Sequence, residues 1–240
     1  MNRRHFLIGG LSAGALTAAG YNFLSPIGSR ALATGVRNAV GVKRQMPIPP
    51  LIESSNGRPI ELSMGHGEFE LLPGIKTPTW GFNGPYLGPT VRVRDGQNVP
   101  ITYRNTLAEA VAIHGHGLHV SGEVDGGPQR EIEPGGSWSL ELPVRQQAST
   151  SWYHPHTHHK TGPQTYNGLA GLLIIDDENS DALPLPKTYG IDDIPVIVQD
   201  RTCDDQGRLD YSIEDAEDGM LGDTITVNGL ANATRSVPAG

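Results

Sequence analysis

A single cysteine, Cys203, among 240 residues excludes an internal disulfide and any cysteine-based zinc or iron–sulfur framework. Basic residues are in the minority: 18 Lys and Arg stand against 26 Asp and Glu, and the formal charge of −8 is opposite to the basic face of a nucleic-acid binder. Charged residues make up 18% and hydrophobic residues 37%, too apolar a mixture for a disordered chain. No apolar run reaches the ~20 residues that a membrane-spanning helix needs. No stretch of ten or more residues holds a 3.6-residue period, which argues against a doubly wound α/β sheet. The 31 Gly and 19 Pro follow no fixed spacing, so a collagen-like repeat is also excluded. At about 150 residues per domain, the length allows one complete domain plus a piece, or two small ones.

The first 33 residues read as an export signal. Arg3 and Arg4 precede His5-Phe6-Leu7, a weakly apolar Gly/Ala-rich run follows, and Ala31-Leu32-Ala33 is a small-x-small cleavage site. Paired arginines ahead of Phe-Leu resemble a twin-arginine signal, which implies the twin-arginine export machinery as a partner and a periplasmic destination. The competing reading is an uncleaved anchor. Residues 34–47 are basic and aperiodic and read as a linker.

Beyond the linker the chain reads as short strands. Ile60–Met64, Thr90–Arg94, Val99–Tyr103 and Trp138–Val144 alternate apolar and polar residues, so each presents one apolar face. Leu172–Ile175 and Val196–Val198 are short and fully apolar, and Asp223–Val227 starts a later set. Asp95-Gly96, Gly126-Gly127-Pro128 and Pro134-Gly135-Gly136 supply turns between them. Many short strands with regular turn signals predict an antiparallel sandwich or barrel.

The chemistry is concentrated in histidine. Seven of the nine histidines fall between positions 114 and 159, and four of them form two pairs, His114-Gly115-His116 and His154-Pro155-His156. On an extended strand residues i and i+2 face the same way, so each pair presents two imidazoles side by side. If the two strands approach each other, four imidazoles converge. That donor set suits copper, zinc, nickel or iron and does not suit calcium or magnesium, which require oxygen ligands.

Four segments in order carry a resemblance: His114-Gly115-His116-Gly117-Leu118, Gly122-Glu123-Val124-Asp125-Gly126-Gly127-Pro128-Gln129, Trp152-Tyr153-His154-Pro155-His156-Thr157-His158 and Gly168-Leu169-Ala170-Gly171-Leu172. Together they resemble the first cupredoxin (plastocyanin-like) domain of a multicopper oxidase, most of all the periplasmic copper-efflux (cuprous) and laccase-like oxidases of bacteria. The resemblance implies an all-β, Greek-key β-sandwich of cupredoxin type. It divides the chain into residues 48–182 as one complete domain and 183–240 as a proline-bearing link with an incomplete second one.

By position, the resemblance implies that His114 binds a type 2 copper and that His116, His154 and His156 bind type 3 coppers. It also implies that Asp125 is the acidic residue near the type 2 copper that assists proton delivery. Read from the residues alone, Asp125 is equally a turn former ahead of Gly126-Gly127. The family usually places Trp between the first two histidines, and Gly115 in its place implies a looser pocket with no ligand lost. His66, His119, His158 and His159 read as solvent or supporting residues, and Trp152 and Tyr153 as core aromatics.

The activity implied is oxidation of a small reducing substrate, Cu(I) or a phenol, coupled to four-electron reduction of O2 to water. A type 1 copper needs a thiolate between histidines, and Cys203 sits in Thr202-Cys203-Asp204-Asp205 with no histidine near it. Cys203 therefore reads as an ordinary thiol. The chain is expected to carry half of the trinuclear ligands, no type 1 site and no turnover by itself, either as the N-terminal part of a longer enzyme or as a truncated product. With 4 Met, no methionine-rich copper-gathering segment is visible. Two alternatives remain: a non-catalytic periplasmic copper-binding protein, and a copper-free cell-division scaffold of the same family. The four histidines argue against the second. A zinc hydrolase of the H-x-H-x-D-H type would need Asp where the chain has Leu118.

Overall fold

The computed structural model describes residues 42–54, 58–212 and 219–237. The export signal of 1–33 lies outside the described residues, as does most of the expected linker. Where the linker is described, Arg44–Gln45 form a short strand, β1.

The strands that follow are β2 (Leu51–Glu53), β3 (Ile60–Phe69), β4 (Thr77–Phe82), β5 (Thr90–Arg94), β6 (Asn98–Asn105), β7 (Ile113–Gly115), β8 (Ser137–Pro143), β9 (Ser149–Pro155) and β10 (Gly171–Asp176). They form two sheets, ordered β2-β5-β10-β9-β7 and β4-β3-β6-β8. Alternation explains the layers. Ile60, Leu62 and Met64 of β3, Ile101 and Tyr103 of β6 and Leu142 of β8 point inward from the four-stranded sheet. Val91 and Val93 of β5, Ile113 of β7, Tyr153 of β9 and Leu173 and Ile175 of β10 meet them from the five-stranded sheet in one buried cluster. At ~25 cal/mol per Å² of apolar surface removed from water, this shared core is the main force holding the sheets together.

The sheets are mixed, whereas the sequence pattern predicts antiparallel pairing. β2 with β5, β5 with β10, and β3 with β6 run parallel. These partners are not joined by tight hairpins, and Greek-key connections between the two sheets bring them side by side. Two short helices were also not expected: α1 (Thr161–Tyr166) between β9 and β10, and α2 (Glu178–Ala182), whose Asp177 and Ser180 form a capping box. Among the described residues no helix is long and apolar enough to cross a membrane.

After Leu183–Pro186, which are exposed, β11 (Val198–Arg201), β12 (Thr224–Val227) and β13 (Leu230–Ala231) form a three-stranded sheet. β14 (Ala233–Thr234) returns to pair in parallel with β1. The apolar run Val196–Val198 meets the sheet one or two residues later than its sequence suggests. Ile197 instead packs, half-buried, on the cluster of Leu71, Tyr86, Leu87 and Ala170.

Candidate metal centre

The two histidine pairs come from neighbouring strands at one edge of the five-stranded sheet. β7 pairs antiparallel with β9, and His114 stands directly opposite His154. The pairing puts the rings of these two residues 5.4 Å apart, His114 and His116 5.7 Å apart, and His114 and His156 5.2 Å apart. The ligand nitrogens of His114, His116 and His154 all lie within 4.8 Å of one another. Four rings therefore cluster, but the tight group of ligand atoms is three. His156 lies past the end of β9, its main-chain N–H held by Ala112 O at 2.8 Å, and its ring is 5.2 Å from His114 and 6.2 Å from His154.

Each ring is held differently. His114 Nδ1 is 3.0 Å from the main-chain oxygen of Asp125 and 3.3 Å from its carboxylate, which places the proton on Nδ1 and leaves Nε2 free as a donor to a metal. His154 Nδ1 donates to Pro155 O at 2.8 Å, so its Nε2 carries the lone pair and faces His116 Nδ1 at 3.2 Å. His154 is only 6% exposed. Burial, reinforced by the neighbouring His114, His116 and His156 and opposed by the Pro155 carbonyl, pushes its pKa down to about 4. A buried imidazole that stays neutral over the physiological range is already in the protonation state that metal binding requires. His116 is the exposed member, and the Ser151 hydroxyl donates to its main-chain oxygen.

Asp125 reaches His114 because of Gly126. Gly126 has φ +77°, and a Cβ there would lie 1.7 Å from Ile113 O, so only glycine lets this loop close on β7. Asp125 therefore fits both readings of the sequence: it occupies the turn, and its oxygens face a histidine of the cluster. The space beside Gly115 is not empty. Leu118 fills that space, with its Cδ1 2.3 Å from where a Gly115 Cβ would stand.

Trp152, read from the sequence as a core aromatic, is part of the site. Its indole stacks on the His154 ring with centroids 3.9 Å apart and planes at 21°, and it lies 5.4 Å from the His116 ring. Its position two residues before His154 puts it on the same strand face, and that parity was the available signal. Tyr153 is a core residue as expected. Its hydroxyl donates to Pro89 O at 2.8 Å, and Gly171 leaves room for its ring, since a Cβ there would lie 2.3 Å from it. His158 and His159 are exposed, ring against ring at 3.8 Å, and His66 and His119 are exposed as well. Cys203 is half-buried; burial, then Asp223 and Asp204, push its thiol up to about 11.

The donor chemistry fits copper. Three imidazole nitrogens within one ion's reach, two with tautomers fixed by main-chain acceptors, form a nitrogen-only set of the type copper favours in either oxidation state.

A two-sheet Greek-key sandwich with His-x-His pairs on register-paired strands defines a cupredoxin-like, copper-oxidase class of domain. The chain belongs to the multicopper oxidase family, whose family model matches residues 63–180. It is similar to the cell division protein FtsP of Salmonella typhimurium, 43% identical over 203 residues that make up 85% of this chain and 43% of that protein. Among solved structures it is similar to a laccase from Pediococcus acidilactici, with a TM-score of 0.76 and 36% identity over 81% of this chain and 43% of that one. It is also similar to the laccase-like multicopper oxidase CueO from Ochrobactrum sp., with a TM-score of 0.73 and 36% identity over 78% of this chain and 42% of that one. The chain thus spans less than half the length of these relatives.

Proposed function

We propose that this chain is the N-terminal portion of a periplasmic multicopper oxidase, exported by the twin-arginine route, and that it supplies half of the ligands of a trinuclear copper site. The observation that carries this reading is the grouping of His114, His116 and His154 nitrogens within 4.8 Å on paired strands. His114 is the proposed type 2 ligand, and His116, His154 and His156 the proposed type 3 ligands. The domain division proposed is 48–182 for the complete cupredoxin domain and 183–240 for the start of the next. When bound, copper would supply the one-electron redox chemistry that couples oxidation of Cu(I) or a phenol to reduction of O2 to water.

The chain's own residues prepare that site. Burial keeps the His154 imidazole neutral, and Pro155 O fixes which nitrogen it offers. Asp125 O does the same for His114, while the Asp125 carboxylate beside Nδ1 can hold and release a proton. Trp152 covers one face of His154 and limits the ring's rotation.

Copper titration of the purified, metal-free chain tests this reading. Tight copper binding that His114→Ala and His154→Ala abolish is expected, with no sustained oxygen uptake by the chain alone. Equal affinity in wild type and both variants would refute it.

A second reading rests on the 43% identity to FtsP: a non-catalytic role in cell division. In a host lacking the gene, rescue of a division defect by the His114→Ala/His154→Ala chain would favour that reading, and rescue of copper tolerance by the whole oxidase, lost when it carries the same two substitutions, would favour the oxidase.

A further inference from the structure

Outside the histidines, one buried polar chain ties the two pairs together. Thr157, next to His156, is 2% exposed, and Gln164 of α1 is 1% exposed. Thr157 Oγ1 accepts from Ala112 N at 2.9 Å and donates to Gln164 Oε1 at 2.7 Å. Gln164 Nε2 donates to Ala110 O at 2.9 Å and to Glu109 Oε1 at 2.6 Å. Ala112 O in turn accepts from His156 N at 2.8 Å. The segment leading into His114 and the segment leaving His156 are therefore joined through one hydroxyl and one amide. Helix α1 is moored to the same point, since Thr161 N and Oγ1 both bond Thr157 O at 3.0 Å.

The side-chain chemistry of the bridge is specific. A carboxamide offers an acceptor toward Thr157 and two donors toward Ala110 O and Glu109. A carboxylate at 164 would lose both donors and face Glu109, and an apolar residue would leave Ala110 O and the Thr157 hydroxyl without their partner in a buried place. β7 is the outermost strand of its sheet and three residues long, with β9 as its only neighbour in the sheet order. So short a ladder leaves the separation of the pairs to be fixed by something beyond it.

From this arrangement we infer that Gln164, acting through Thr157, is a positioning residue that sets where His114 and His156 stand relative to each other. Its consequence for copper rests on the reading under Proposed function; its consequence for the imidazoles does not.

The test uses the full chain with Thr157→Val, Thr157→Ser, Gln164→Leu and Glu109→Ala. Circular dichroism reports the fold. Imidazole 15N resonances of the metal-free protein report the histidines, and Cu(II) affinity and the Cu(II) EPR spectrum report the site. Thr157→Val and Gln164→Leu are expected to shift the His114 and His156 resonances, to weaken Cu(II) binding about tenfold or more, the usual effect of losing an outer partner of a ligand, and to change the EPR spectrum. Thr157→Ser, which keeps the hydroxyl, restores all three. Glu109→Ala removes the Gln164 bond and an ion pair with Lys160 at 3.5 Å, both at the half-exposed end, so it tests the same chain without risk to the core and should shift the same resonances less, with Lys160→Ala as the control for the ion pair. Folded variants with unmoved resonances and an unchanged EPR spectrum would overturn the inference, as would an unmoved Glu109→Ala spectrum if the buried variants fail to fold. A wild-type chain that takes up no Cu(II) refutes the copper reading alone, and the resonances still decide the positioning.

Discussion

His114 is held by the main chain of Asp125 as well as by its side chain, with Nδ1 3.0 Å from the carbonyl oxygen and 3.3 Å from the carboxylate. The two contacts separate what Asp125 does by place from what it does by charge. Asp125→Ala keeps the carbonyl and therefore the tautomer. Its Cu(II) affinity, followed by calorimetry, is expected to fall by well under the ~10-fold that loss of a ligand's orienting partner costs. A larger fall would show that the carboxylate itself orients the ring.

Gly126→Ala should be far more damaging than Asp125→Ala. It adds a Cβ 1.7 Å from Ile113 O at a residue with φ +77°. Strain of this kind costs ~1–3 kcal/mol before the clash is counted. A loss of at least ~2 kcal/mol in urea unfolding is expected, and a change within error would contradict the loop geometry.

Trp152 offers an optical readout. Its indole lies over His154 at 3.9 Å, while Trp80 sits against His66 and Trp138 against Tyr103. Cu(II) is expected to quench the Trp152 share of the fluorescence, and Trp152→Phe to remove that response while retaining a ring on His154. Trp152→Leu, which loses the ring contact, should cost ~1 kcal/mol of stability. Quenching that persists in Trp152→Phe would place the ion elsewhere.

The buried His154 makes the metal-free protein sensitive to acid. Its folded pKa of about 4 lies below the ~6.5 of an unfolded histidine, so between those values the unfolded chain takes up a proton that the folded one refuses. Its contribution is fully present above pH ~6.5 and is lost as the pH falls toward 4. Thermal melts from pH 7 to pH 4 should show Tm falling, with a shallower fall in His154→Asn. Parallel curves would remove His154 from the cause.

Cys203 should be a slow nucleophile. With the thiol pushed up to about 11, iodoacetamide labelling at pH 7.5 is expected to lag a free cysteine by a factor of ten or more and to speed up as the pH rises. Rapid labelling at neutral pH would contradict its burial between acidic neighbours.

The parts of this protein that could be read in advance are those governed by local geometry. Thr90–Arg94 alternates over five residues and is a strand over the same five. The His-x-His spacing announced two imidazoles per strand face, and the strands do bring them together. β4 has no counterpart among the expected strands, since Pro78 and Gly81 interrupt its pattern; Pro78 is tolerated since β4 is the outer strand of its sheet, where a missing N–H breaks no ladder. The parallel pairs and the Thr157–Gln164 bridge could not be read, because they depend on which distant segments meet. The same holds for His156. Strand parity predicts its face but not where its ring nitrogens fall beyond the end of β9 at Pro155, and three nitrogens rather than four make the tight group.

The small ribbon of β1 and β14 sets an order of events for the newly made chain. Its closing contact, Thr234 Oγ1 to Arg44 O, joins residues 190 positions apart. Closing so long a loop is costly in entropy until the intervening structure has shortened the path. A ribosome must therefore have released residue 234 before Arg44 and Gln45 can find their partner, and the sandwich core of 60–175 can assemble first, on sequence already available. The ribbon then acts as a late latch, and loss of β14 should free the β1 segment to proteases while leaving the sandwich protected.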